Sequence, residues 1–86
     1  MKIFLHRNLV RKYKKLSKKL QNQVKERRNL FVQNQYDPLL NNHALQGQWA
    51  GYRSINITGD VRIIYRLLRE DVALFVDIDT HSNLYK

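Results

Sequence analysis

Ser54-Ile55-Asn56-Ile57-Thr58-Gly59-Asp60-Val61-Arg62-Ile63-Ile64-Tyr65-Arg66-Leu67 is the stretch that decides the fold. Its apolar residues recur with period two, the spacing of a half-buried strand. Ile55 and Ile57 point one way, while Ser54, Asn56 and Thr58 point the other. Thr58-Gly59-Asp60 is a tight-turn signal, after which Val61, Ile63, Tyr65 and Leu67 alternate with Arg62, Ile64 and Arg66. Downstream, Glu70-Asp71 makes the next turn. Val72, Leu74, Val76 and Ile78 then alternate with Ala73, Phe75, Asp77, Asp79 and His81. The pattern predicts a meander with strands near 50–58, 61–69 and 72–80, its aliphatic rows on one face.

Upstream the period becomes helical. Leu9, Tyr13 and Leu16 form one apolar stripe. Ser17 interrupts and can cap a second helix, in which Leu20, Val24 and Phe31 repeat with Leu30 beside them. Asp37-Pro38 closes the helical region, because the residue before proline is pushed out of the α basin. Helices are predicted near 8–16 and 18–34, a short strand near 2–6, and a loop over 39–48 that holds His43. The order is β-α-α-β-β-β in a single domain, 1–86, with both helices on one sheet face: an α+β fold.

The charge is one-sided. Eleven of the 16 cations lie between Lys2 and Arg28, where Glu26 is the only acid, so that stretch carries +10 and the rest −1, for a net of +9. Such a field attracts polyanions. Lys14, Lys15, Lys18, Lys19, Lys25 and Arg28 on the helices, with Arg66 on the sheet, are the candidate surface for RNA or the ribosome. The competing reading is a solvated lysine-rich face. The absence of cysteine removes disulfides, thiolate zinc sites and a cysteine nucleophile. His6, His43 and His81 come from separate elements without metal-ligand spacing, so no metal or cofactor is expected. Met1 to Leu5 offers three apolar residues before His6, too few for a signal peptide or a membrane span, which makes the cytoplasm the expected location.

By parity, Asn56, Asp60, Arg62, Arg66, Asp77, Asp79 and His81 belong to the face away from the helices or to its turns. RNA can be cut by its own 2′-hydroxyl attacking the adjacent phosphate. That needs a base, an acid for the leaving 5′-oxygen, and positive charge on the phosphorane. His81 can act as acid or base with His43 or Asp60 as its counterpart, and Arg62 can clamp the phosphate bidentately. Tyr85 can stack on a base or bond the phosphate. Plainer readings stand beside these. His81 can simply end a strand, His43 can bond the backbone, Asp60 suits a Gly-Asp turn, and Arg62 can pair with Asp77 or Asp79. Trp49 and Tyr52 read as packing residues and Arg53 as a brace for the sheet.

Three segments carry a resemblance: His43-Ala44-Leu45-Gln46-Gly47-Gln48-Trp49-Ala50-Gly51-Tyr52-Arg53-Ser54, Gly59-Asp60-Val61-Arg62-Ile63-Ile64-Tyr65, and Asp79-Thr80-His81-Ser82-Asn83-Leu84-Tyr85. In this order they resemble the RelE/ParE toxin superfamily, and within it the YafQ-like branch. The resemblance spans essentially the whole chain. It implies a RelE-like fold, with helices on a twisted, mostly antiparallel sheet. It also implies a toxin that cleaves messenger RNA in the ribosomal A site without a cofactor. The implied partners are the ribosome, mRNA and an acidic antitoxin, with operator DNA reached only through the antitoxin complex. By position His43, Asp60 and His81 match the branch's catalytic residues, Tyr85 its aromatic, and Arg62 a RelE arginine that contacts the scissile phosphate. Asn56 stands where the branch has a second histidine, and Val61 where it has a tryptophan. Asn56 does not exchange protons, so any relay is one member shorter. Two other functions remain open: a ParE-like toxin that inhibits DNA gyrase and cuts nothing, and a catalytically weak module that only binds antitoxin and operator.

Overall fold

The computed structural model describes residues 1–85. The chain runs β1 (Lys2–Leu5), α1 (Arg7–Lys14), α2 (Lys18–Gln33), a 3-10 turn (Pro38–Leu40), β2 (His43–Ala44), a second 3-10 turn (Gly47–Trp49), β3 (Arg53–Asn56), β4 (Val61–Arg69), β5 (Val72–Thr80) and α3 (His81–Leu84). Two of these elements depart from the sequence reading. The loop assigned to His43 contains β2, which adds a strand at the sheet edge, and α3 extends the order at the C-terminus.

Local chemistry explains the helix boundaries. His6 caps α1 by accepting from the Asn8 N–H at 3.0 Å. The Ser17 hydroxyl accepts from the Leu20 N–H at 3.2 Å and starts α2. The five strands lie in the order β1-β5-β4-β3-β2. β1 pairs parallel with β5, and every other pair is antiparallel.

The core lies between the helices and one sheet face. Leu9, Val24, Phe31 and Leu40 meet Ile55, Ile57, Ile63, Tyr65, Ala73, Phe75 and Ile78 there. Phe31 presents its ring edge-to-face to Tyr65 at 4.9 Å and to Phe75 at 5.2 Å.

The parity reading of β5 is corrected. Asp77 faces Ile64, but the next pair is Phe75 with Tyr65, so Val76 is an extra residue in the ladder. This bulge reverses the alternation. Below it Ala73 and Phe75 fill the core instead of Val72 and Leu74, whereas Ile78 above it points inward as expected. Leu67 also leaves the predicted aliphatic row, since β4 is exposed from Arg66 to Arg69. The second face is not bare either. Ile64, between the core residues Ile63 and Tyr65, is fully buried, and Leu84 of α3 is buried outside the main cluster.

Candidate active site

The sheet register assembles the site. His43 faces Ser54 across β2 and β3, and Asn56 faces Arg62 across β3 and β4. Cross-strand partners share a face, so His43, Ser54, Asn56 and Arg62 form one row opposite the helices.

Arg62 is the centre of that row. It is only 5% exposed. Its Nε donates to Ser54 Oγ at 2.5 Å and its Nη1 to Asn56 Oδ1. Its Nη2 lies 3.2 Å from both the Asn41 carbonyl and His43 Nδ1. Ser54, Asn56 and the Asn41 carbonyl are neutral, and among the described residues no carboxylate pairs with Arg62. Burial pulls the guanidinium pKa below its ordinary value, and the Tyr85 phenol works in the opposite direction. The Tyr85 hydroxyl is close enough to act on Arg62 electrostatically, yet it forms no well-directed hydrogen bond and is buried without a partner among the described residues. Arg62 has five N–H groups in a fixed fork, so its four contacts leave one N–H over.

The pairing of Arg62 with Asp77 or Asp79 is therefore replaced by another. Both carboxylates bind Lys12 of α1, at 2.8 and 3.1 Å. Lys12 lies on the apolar stripe of α1, three residues after Leu9 and one before Tyr13. A cation on the inward face of a helix needs a partner, and that was the signal in the sequence for this ion pair.

Asp79 also fixes the C-terminal helix. Its Oδ1 accepts from Asn83 Nδ2 at 2.9 Å and from the Thr80 N–H at 2.8 Å. The Asn83 hydrogen bond is the largest influence lowering its pKa. Burial opposes it, and the Thr80 N–H and Lys12 lower it further. For Lys12, burial disfavours the ammonium, but Asp77 and Asp79 outweigh it and raise the pKa. The Asp79 contribution is therefore present above the unfolded carboxylate value of 3.8 and fades as pH falls through the lower folded value. That of Lys12 is present below 10.5 and fades as pH rises through its higher folded value. Asp79→Asn is expected to destabilise by about 1 kcal/mol. The corresponding loss at neutral pH is roughly 4–8 °C in melting temperature. Wild type and variant should converge once the wild-type carboxyl is protonated. An equal gap at pH 7 and at pH 2 would rule out the ion pair as the cause.

His81 is not at the end of a strand. Thr80 Oγ1 accepts from the Asn83 N–H at 3.3 Å and caps a new helix, so His81 is the exposed first residue of α3. Its N–H donates to the Asp60 carbonyl at 2.8 Å. Its ring meets Tyr85 edge-to-face at 4.6 Å. Trp49 Nε1 donates to the Leu84 carbonyl at 3.2 Å and holds the far end of α3. The turn at Asp60, the α3 pair His81 and Tyr85, and the Arg62 row thus share one region. Asp60 itself is exposed in the turn before β4.

The scaffold residues behave as expected. Trp49 and Tyr52 stack edge-to-face at 5.3 Å. Arg53 Nε donates to Asn42 Oδ1 at 2.8 Å, and Asn42 Nδ2 donates to Tyr65 Oη at 2.6 Å. Arg66 is exposed, its guanidinium 6.0 Å from the Tyr52 ring centre. Lys14, Lys15, Lys18, Lys19, Lys25 and Arg28 are all exposed on the two helices. Sequence reasoning missed Asn41, Asn42, Ser54 and Lys12. Ser54 had a signal of its own, sharing its parity with Asn56.

The family model described as "Bacterial toxin of type II toxin-antitoxin system, YafQ" matches residues 1–86. The chain belongs to the YafQ family of bacterial toxins. Among solved structures, this YafQ-family chain is similar to YafQ from E. coli strain BL21(DE3), with 26% identity over 98% of this chain and 97% of that one and a TM-score of 0.78. It is similar to a chain of the E. coli DinJ-YafQ toxin-antitoxin complex, at 28% identity, 98% and 96% coverage and a TM-score of 0.74. A YoeB/ParE toxin from Agrobacterium tumefaciens shares the fold at 19% identity, 94% and 99% coverage and a TM-score of 0.79. No curated protein sequence matches the chain. Among the described residues of this YafQ-family toxin, no helix is long and apolar enough to cross a membrane.

Proposed function

We propose that this toxin is a ribosome-dependent mRNA endoribonuclease that acts in the cytoplasm and needs no metal. The observation that carries the reading is Arg62: a buried cation held by Ser54, Asn56 and the Asn41 carbonyl, with no carboxylate partner among the described residues, beside the buried Tyr85 hydroxyl. A desolvated cation with an N–H left over suits an anion with several acceptor oxygens, such as a phosphodiester. The His43 imidazole lies beside it, that of His81 packs on the Tyr85 ring, and a carboxylate stands at Asp60 in the adjoining turn. Together they supply the proton acceptor and donor that 2′-hydroxyl attack requires. Asn56 holds the guanidinium here in place of joining a proton relay.

The exposed helix cations supply the long-range field. We assign Lys14, Lys15, Lys18, Lys19, Lys25, Arg28 and Arg66 to contact with the ribosome and its RNA. An acidic antitoxin is the matching regulator, and the DinJ-YafQ complex shows a relative assembled with an antitoxin. The test is a translation extract in which mRNA ends are mapped after adding the toxin. Cuts within codons of translating messages are expected, and unchanged messages would refute the reading. Changing Lys14, Lys15, Lys18 and Lys19 together to glutamine should weaken ribosome binding and flatten its salt dependence, since fewer counterions are released. Because all four are exposed, the fold should survive. Binding equal to wild type at both low and high salt would return these lysines to a purely solubilising role.

A further inference from the structure

Two aromatic side chains between β2 and β3 pack on each other without burying either ring. Trp49 and Tyr52 meet edge-to-face with their centres 5.3 Å apart, and both stay half-exposed. In that arrangement one ring offers its edge, so the partner leaves its faces uncovered. The backbone holds the pair in place. Gly51, at φ 90°, turns the chain immediately before Tyr52, a conformation that a side chain would strain. The Tyr52 N–H donates to the Trp49 carbonyl at 3.0 Å, and the Tyr52 carbonyl accepts from the Leu45 N–H at 2.9 Å.

The pair connects the candidate active site to an exposed cation. On one side the Trp49 indole N–H donates to the Leu84 carbonyl at 3.2 Å, next to Tyr85, whose ring packs on His81 at 4.6 Å. On the other side the Arg66 guanidinium lies 6.0 Å from the Tyr52 ring centre. Arg66 follows Arg62 by four residues on β4, so the two share the face opposite the helices. Their Cα atoms stand roughly 13 Å apart at the usual strand rise. Tyr85, Trp49, Tyr52 and Arg66 therefore form a row of planar groups leading away from Arg62, each at least half-exposed. Single-stranded RNA suits such a row, because its unpaired bases offer flat faces to stack and its phosphates a charge to meet. A duplex keeps those faces inside its own stack.

We propose that Trp49, Tyr52 and Arg66 form a stacking track for the unpaired bases of the message beside the cut. The placement beside a cut rests on the nuclease reading above; the stacking of unpaired bases does not. Arg66 serves there as a plane as well as a charge, supported by the Tyr52 ring. Bases seated on the track fix the strand along β4 and present a neighbouring phosphate to Arg62.

Trp49 is the only tryptophan in the chain, so its emission reports on the track directly. The test titrates wild type with a short 2′-O-methyl RNA, which lacks the attacking hydroxyl and stays whole, and with an abasic strand of the same length and charge. Binding is read from the anisotropy of a labelled strand, and stacking from the quenching of Trp49. The RNA is expected to bind about 10-fold more tightly than the abasic strand, and to quench Trp49 where the abasic strand does not. Arg66→Lys keeps the charge and loses the plane. It should bind the RNA about 10-fold more weakly than wild type does, with affinity for the abasic strand unchanged. Arg66 is exposed, so the fold should survive. Equal affinity of wild type for the two strands, an unquenched Trp49 with RNA bound, or wild-type RNA affinity in Arg66→Lys would each overturn the proposal. Failure of the nuclease reading looks different. The RNA would then bind and quench Trp49 as expected, while translating ribosomes treated with the wild-type toxin show no cut messages.

Discussion

His81→Ala is expected to slow mRNA cleavage on translating ribosomes by about 10²–10⁴-fold, the usual contribution of a proton-transfer residue. Growth arrest in cells should be relieved in parallel. Stability should barely move, because His81 is exposed and α3 is capped by Thr80, held by Asp79 through Asn83 and pinned by Trp49. What the substitution removes is the edge-on packing of the imidazole against the Tyr85 ring. Near-normal cleavage by folded His81→Ala would remove His81 from the chemistry and leave His43 and Asp60 as the pair. A wild-type toxin that arrests growth without cutting RNA would direct attention to a gyrase-type target instead.

Arg62→Lys is expected to cost roughly 10²–10³-fold in cleavage, the scale of losing a donor that stabilises transition-state charge. The substitution keeps the charge and removes the fork. An ammonium cannot satisfy Ser54, Asn56 and the Asn41 carbonyl together and still offer donors to a phosphate. Stability should fall as well, by about 1–3 kcal/mol, since buried acceptors are left unsatisfied. Cleavage and melting temperature measured on the same preparation separate the two effects. Wild-type cleavage by Arg62→Lys would show that only the charge matters and that the fork is structural.

Most of the fold was legible because period and punctuation are local properties. Alternation at 54–67, the Gly59-Asp60 turn and the Ser17 cap each follow from neighbours in the chain. Counting parity failed at Val76, because a bulge is decided by the partner strand. It failed again at His81, where the Thr80 hydroxyl began a helix instead of extending the strand. β2 was hidden for a related reason: two residues have no period, and His43-Ala44 becomes a strand only by pairing with Arg53 and Ser54.

The candidate site divides along the same line. The sequence by itself determined the residue types: His43, Asp60, Arg62, His81 and Tyr85, with a basic face beside them. It also determined membership of the family, because motif order and spacing are properties of the chain. Only the tertiary structure decided what surrounds Arg62. The carboxylates nearest in the strand ladder, Asp77 and Asp79, turn to Lys12 on a helix that sequence separates from them by more than sixty residues. Arg62 is left to Ser54, Asn56, Asn41 and His43, drawn from three segments that meet only through sheet register and a left-handed turn. Charge and hydrogen-bond capacity belong to a residue, but desolvation and the choice of partner belong to the packed molecule.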